Sequence, residues 1–157
     1  VIDDKKDVKI VYLAKGISAH DLVDTAWVSK KYEIPGDRYA LFAMFRGDPS
    51  DGLPGVKGIG EKGASLICNH FANVDEVIQG ALDGHDALSA NLIKKILEGR
   101  EYLKIAPTLV QCARDVSLPH IDLNLPKKPE DLSAIYALQK QYGLGASIDR
   151  MIAALGW

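Results

Sequence analysis

Cysteine is scarce in this chain: Cys68 and Cys112 are the only two, and each stands alone in apolar surroundings. That argues against a disulfide-built fold and predicts buried free thiols in a reducing compartment. Long apolar runs are missing as well. None approaches the ~18–20 residues that a membrane-spanning helix needs, and no signal peptide opens the chain. Neither charge sign dominates: 19 basic against 21 acidic side chains leave a net charge of −2. No global basic field therefore announces nucleic acid, although a local patch can coexist with a neutral total. There is no repeat or low-complexity stretch and no Ser-His-Asp or Cys-His pairing. The one glycine-rich loop lacks the Gly-Lys-Ser/Thr ending of a nucleotide-binding P-loop. What is left is an ordinary globular composition, 47% hydrophobic and 25% charged, in a chain long enough for one domain or a piece of a larger one.

The chain is organised around residues 46–62, Arg-Gly-Asp-Pro-Ser-Asp-Gly-Leu-Pro-Gly-Val-Lys-Gly-Ile-Gly-Glu-Lys. This stretch, dense in glycine, proline and charge, lies between two apolar runs, 39–45 and 64–68, a pattern that predicts helix, tight glycine hairpin, helix. Gly58 and Gly60 flank Ile59, so the backbone can turn at φ values that other residues resist and can come close to another molecule. A helix starting near Glu61 adds free amides and a positive dipole end, a surface that suits phosphate. Ile59 is the apolar peg expected in the core. Lys57 and Lys62, on either side, can neutralise phosphates without reading bases. Asp48 and Asp51 lie three apart just beyond a helix end, with Pro49 stiffening the loop between them. Two such carboxylates can face one hard divalent cation, or they can be an N-cap and a turn aspartate. Spacing leaves both readings open.

Elsewhere the patterns are plainer. Residues 8–13 form a β-branched run that predicts a strand, after a solvated turn at 3–7. Ser18 is expected to cap a helix running through 21–23 to Tyr32, with His20 exposed in its first turn. Asp37 should cap an apolar helix over 39–45 that must be buried. Further helices are predicted over 61–71, 74–82 and 88–102, with Pro107 interrupting the chain after the last of them. Lys94, Lys95, Arg100 and Lys104 could line DNA, with a solvated face the stronger reading, and His70 reads as a partner for helix-end carbonyls. Residues 115–129 read as loop. A helix from Pro129 to Tyr142, ended by Gly143 and Gly145, and a last helix over 148–155 capped by Ser147 complete the chain.

The runs 47–51, 53–56 and 58–62 together resemble the Gly-Asp-Pro-Ser-Asp, Leu-Pro-Gly-Val, Gly-Ile-Gly-Glu-Lys signature of bacterial 5′-3′ exonucleases. These are relatives of the flap endonucleases and of the nuclease domain of DNA polymerase I. Residues 31–36, 69–71 and 74–77 look like the same family, and the resemblance covers essentially all of this chain but only the C-terminal half of the family. It implies a mainly α fold: a short N-terminal β-strand, then a helix-hairpin-helix helical domain, the C-terminal part of an α/β 5′-nuclease fold. Residues 1–36 would end the α/β nuclease core, and 37–157 would be the helical domain, with the helix-hairpin-helix at about 46–71.

The resemblance also implies an activity, that of a Mg²⁺-dependent (or Mn²⁺-dependent) 5′-3′ exonuclease or structure-specific 5′-flap endonuclease. Asp48 and Asp51 would be its catalytic metal ligands. Gly55, Lys57, Gly58, Gly60 and Lys62 would grip the DNA, and the carbonyls of Val56 and Ile59 would hold K⁺ weakly. Gly63 stands where the family usually has threonine, and Gly55 where some relatives have serine. The expected partners are double-stranded DNA with a 5′ flap or 5′ end and a missing N-terminal nuclease half that carries the remaining acidic ligands. Without that half the chain is expected to be inactive. The expected place is the bacterial cytoplasm, at the nucleoid, with no membrane association. The alternatives are a non-catalytic, structure-specific helix-hairpin-helix DNA-binding module, the nuclease domain of a polymerase, and a helical protein–protein scaffold.

Overall fold

The run from Tyr39 to Phe45 has no polar side chain apart from the tyrosine hydroxyl, so a helix there has no face to give to water. In the computed structural model, which describes residues 1–113, 115–120, 122 and 124–157, this run is the helix at the centre of the core. Among the described residues the order is β1 (Ile10–Tyr12), β2 (Asp21–Val23), α1 (Thr25–Tyr32), α2 (Tyr39–Arg46), α3 (Glu61–His70), α4 (Val74–Asp83), α5 (Ala90–Glu98), α6 (Arg100–Val110), α7 (Leu132–Tyr142) and α8 (Ala146–Leu155). The fold is mainly α, as the sequence leads one to expect. The chain forms two compact units, residues 1–114 and 115–157. No helix of the described residues is long and apolar enough to cross a membrane.

In the first unit α2 buries Leu41, Phe42, Ala43, Met44 and Phe45 and packs against α3 and α6. Around it close Ile67 and Cys68 of α3, Val77 of α4, Ile96 of α5 and Leu103 and Ala106 of α6, all fully buried. In the second unit α7 is capped by Asp131, whose carboxylate accepts from Ala134 N, and is stopped by Gly143 in the left-handed region. α7 then packs on α8.

Several local expectations are corrected. The helix expected from Ser18 begins only at Thr25, because Asp24 is the cap: its carboxylate accepts from Trp27 N at 2.8 Å. Residues 21–23 instead pair antiparallel with β1, Ile10 opposite Val23 and Tyr12 opposite Asp21. Asp37 does not cap α2; it lies in a 3₁₀ turn over Gly36–Arg38, and Arg38 holds the cap position without a capping side-chain bond. The single helix expected over 88–102 is two helices that meet at Gly99. A Cβ there would stand 2.8 Å from Cγ1 of Val56, so glycine lets the α5–α6 corner close on the loop that carries Val56. Pro107 does not interrupt the chain. It sits inside α6, near the C-terminal end, where its missing N–H removes only one helical bond. Gly145, at φ +54°, starts α8 at Ala146, which leaves Ser147 inside the first turn and not at the cap. The loop expected over 115–129 lies outside the described residues at Ile121 and Leu123.

The two thiols part company. Cys68 is buried against the core, and burial pushes its thiol up to about 12. Cys112 is exposed, because α6 ends at Val110 and the periodicity that turns side chains inward ends with it. We expect a disulfide reagent at about pH 8 to modify Cys112 in the native protein and Cys68 only after denaturation, since the thiolate is the nucleophile. Equal native reaction rates at both would contradict the placement of Cys68.

Candidate nucleic-acid interface

The loop after α2 is drawn back onto the helix it leaves. Val56 donates its N–H to Phe45 O at 3.0 Å, and Gly55, at φ +71°, lies so close to α2 that a Cβ would stand 2.6 Å from Gly47 N. Val56 and Ile59 then sink into the core, 4% and 5% exposed. Each such burial is worth ~1.5–3 kcal/mol, enough to hold the turn down at two points. Between the pegs the backbone reverses: Ile59 N donates to Val56 O at 2.9 Å, and Gly58 takes φ +79°. Gly60 then caps α3 with no side chain.

This geometry exposes what the sequence assigned to recognition. Lys57, Gly58, Gly60 and Lys62 are exposed, and no carboxylate among the described residues pairs with either lysine. Gly58, Ile59 and Gly60 line a shallow groove of about 270 Å³ that Ser89, Asn91 and Lys95 complete from α5. The open side of the groove offers backbone amides at the N-terminus of α3, where the dipole favours an anion. Gly55 differs from its neighbours. It is half-buried against Arg46 and Gly47, so packing alone demands a glycine there.

Asp48 and Asp51 sit on one 3₁₀ turn, Pro49–Asp51, directly after α2. The turn is closed by paired backbone bonds between Asp48 and Leu53, each 3.0 Å. Asp48 Oδ1 accepts from Ser50 Oγ at 2.6 Å and from Ser50 N at 3.1 Å, and Oδ2 lies 3.8 Å from Arg46 Nη2. The Ser50 hydroxyl, more than the neighbouring Arg46, holds the Asp48 carboxyl below the usual carboxylate range. An ionised acceptor is what a cation needs. Asp51 is exposed and donates only its backbone N–H, to Asp48 O at 3.2 Å. The pair fits a hard divalent ion in chemistry and falls short in number: no group of three or more His, Cys, Asp or Glu side chains among the described residues comes together to hold one. The sequence left a cap reading open for Asp48, and the structure realises it.

Two further residues enter: Arg38, which the sequence did not mark, and Lys95, which it offered to DNA only as the weaker reading. Lys95, read as part of a solvated face, donates from Nζ to Gly58 O at 2.7 Å. Arg38 donates from Nη1 to Cys68 O at 2.8 Å and Phe71 O at 2.9 Å, closing the last turn of α3. A lysine three residues after Leu92 on an amphipathic helix signals the α5 face it shares, but not the hairpin that this face meets. The K⁺ expectation meets the same lysine. Val56 O already accepts from Ile59 N, and a fixed ammonium occupies the carbonyl of Gly58, between Val56 and Ile59.

Residues 34–133 match the family described as 5′-3′ exonuclease, C-terminal SAM fold. The chain is 42% identical over 156 residues to a 5′-3′ exonuclease of Streptomyces coelicolor, covering 99% of this chain and 52% of that one. It is 32% identical over 153 residues to DNA polymerase I of Mycobacterium bovis, covering 95% of this chain and 16% of the polymerase. It is also 32% identical over 96 residues to flap endonuclease Xni of Pseudoalteromonas translucida, covering 61% of this chain and 35% of that protein. The chain thus spans about half the length of the exonuclease relatives it matches.

The glycines of the turn separate into packing and open positions, and unfolding in urea tests the division. Gly55→Ala meets both a positive φ and a backbone atom 2.6 Å away, and should lose at least about 2 kcal/mol of stability. Gly60→Ala has φ −96° and nothing within 4 Å, and should stay within about 1 kcal/mol of the parent. Equal losses would show that the turn is not seated on α2 as described.

Proposed function

Because this chain belongs to the 5′-3′ exonuclease family, in its C-terminal SAM-fold part, we propose that it is the duplex-holding part of a 5′-3′ exonuclease or 5′-flap endonuclease. Its substrate would be DNA with a 5′ end or 5′ flap, handled in the bacterial cytoplasm at the nucleoid. The observation that carries the reading is the seated glycine turn: Val56 and Ile59 buried, with Lys57, Gly58, Gly60 and Lys62 exposed beside the N-terminus of α3. Backbone amides and two free ammonium groups recognise phosphate and sugar without reading bases. That suits an enzyme that must take any sequence.

Asp48 and Asp51 present oxygen ligands from the same loop, one turn of chain before the hairpin, so a gripped duplex and a bound metal would share one rigid base, α2. Mg²⁺ (or Mn²⁺), when bound, activates the attacking water and stabilises the leaving oxygen of a phosphodiester. Two carboxylates are too few for that, so the remaining acidic ligands would come from an N-terminal nuclease half, with residues 1–36 ending its α/β core. The residues' own part is to hold charge in place. Ser50 and Arg46 keep Asp48 ionised and oriented, and the paired bonds between Asp48 and Leu53 stiffen its loop. A second reading, a non-catalytic helix-hairpin-helix module, is favoured by one observation: Asp48 is already satisfied as a cap by Ser50.

Two measurements test these readings. The chain should bind duplex DNA weakly and without sequence preference. Its log K should fall against log salt with a slope of about −2 to −3, as expected for two or three neutralised phosphates, and Gly60→Ala should weaken it. Binding that ignores salt or follows base sequence would refute the grip. On a 5′-flap substrate the chain alone should not cleave, and supplying the N-terminal half should restore Mg²⁺-dependent cleavage. In that complete enzyme Asp48→Ala and Asp51→Ala should each lower turnover by about 10²-fold with DNA affinity in Ca²⁺ unchanged. Robust cleavage by the chain alone, or full turnover in both variants, would overturn the assignment of the two aspartates to the metal.

A further inference from the structure

A carbonyl at the tip of a phosphate-gripping turn poses an electrostatic problem. Its oxygen carries partial negative charge, and a phosphate brought to the neighbouring amides is repelled by it. Gly58 is such a tip residue: exposed, at φ +79°, between the two buried pegs. Its oxygen accepts from Lys95 Nζ at 2.7 Å. The lysine stem lies across the tip, close enough that a Cβ on Gly58 would stand 3.0 Å from Lys95 Cε. Lys95 also lines the groove together with Gly60, Ser89 and Asn91. An ammonium has three donors and accepts nothing, so two N–H groups remain once the carbonyl bond is made. No carboxylate among the described residues pairs with Lys95, so its charge is not cancelled.

We propose that Lys95 is the hairpin's own resident cation. It neutralises and fixes the Gly58 carbonyl and adds positive charge toward a bound phosphate, so the turn holds duplex backbone without a monovalent metal ion. The inference rests on the DNA-holding reading above and refines it. A mobile K⁺ at the adjacent carbonyls of Val56 and Ile59 would have to enter beside the tethered ammonium held on Gly58 O, and neighbouring like charges disfavour each other. Tethering also removes any dependence on ion concentration. Lys95 is a positioning residue: it acts on the turn, and its charge is read through the affinity of the turn for DNA. Lys94, its neighbour in sequence, instead pairs with Glu98 at 3.9 Å, which separates the two lysines in role.

The test compares the 157-residue chain with Lys95→Met, Lys95→Arg and Lys94→Met, after thermal melting confirms that each is folded. Duplex affinity is measured by fluorescence anisotropy across salt, in K⁺ and in tetramethylammonium at equal ionic strength. Separately, without DNA, Tl⁺ is titrated as a K⁺ probe while the amide resonances of residues 58–60 are followed. The parent should bind equally in both cations and show no saturable Tl⁺ shift. Lys95→Met should lose about tenfold in affinity and about one unit of salt slope, regain part of the affinity in K⁺, and show a Tl⁺ shift. Lys95→Arg should restore most of the binding, and Lys94→Met should change little. Parent affinity that falls in tetramethylammonium, a saturable Tl⁺ shift in the parent hairpin, or an unchanged slope in Lys95→Met would each overturn the proposal. Failure of the parent to bind duplex in any buffer would instead sink the DNA-holding reading, and the Tl⁺ titration would then judge Lys95 by itself.

Discussion

Val56 donates its backbone N–H to Phe45 O, and through that bond the chain leaving α2 is folded back against the helix it has just left. The rest of the proposed interface depends on this return. It needs glycine at Gly55, where a Cβ would stand 2.6 Å from Gly47 N, and at Gly47, which takes φ +85°. It also needs a helix rigid enough to be returned to, which α2 provides by burying five consecutive residues. Once Val56 and Ile59 are seated, Gly58, Gly60 and the first amides of α3 have nowhere to face but outward. The recognition surface follows from how the turn is anchored.

The same base serves the carboxylates. Asp48 and Asp51 lie on the 3₁₀ turn between α2 and the hairpin, so a displacement of α2 would move grip and charge together. Ser50 and Arg46 hold Asp48 ionised from within its own loop. Such local support costs nothing elsewhere in the fold and leaves the second carboxylate free. Arg46 is doubly used: its guanidinium lies 4.9 Å over the Phe42 ring, which keeps it near Asp48 by packing as well as by charge. Its contribution to charge balance is modest at this separation.

Much of this was legible in the residues. An all-apolar run had to become a buried helix, and a glycine-isoleucine-glycine turn between helices had to bury the isoleucine and expose the glycines. Asp48 was ambiguous in sequence because one carboxylate can cap a turn and face a cation with different oxygens. What stayed hidden was tertiary. Whether Leu22 and Val23 extend a helix or pair with β1 depends on which aspartate caps α1, and Asp24 prevails over Ser18 because the helix it caps packs Val28 into the core. Gly99 divides α5 from α6 for the sake of Val56, forty-odd residues away in the chain. Lys95 belongs to the hairpin for the same kind of reason. Helical periodicity places it on a face, but only the fold says which loop that face meets.

Whether the seated hairpin is the surface that meets DNA is tested by a map of backbone amide shifts on adding a short 5′-flapped duplex to the isotope-labelled chain. The largest perturbations should fall on residues 57–63 and on the start of α5 near Ser89 and Asn91, fading as salt is raised. Perturbations confined to other elements, with the hairpin amides unmoved at saturation, would contradict that reading.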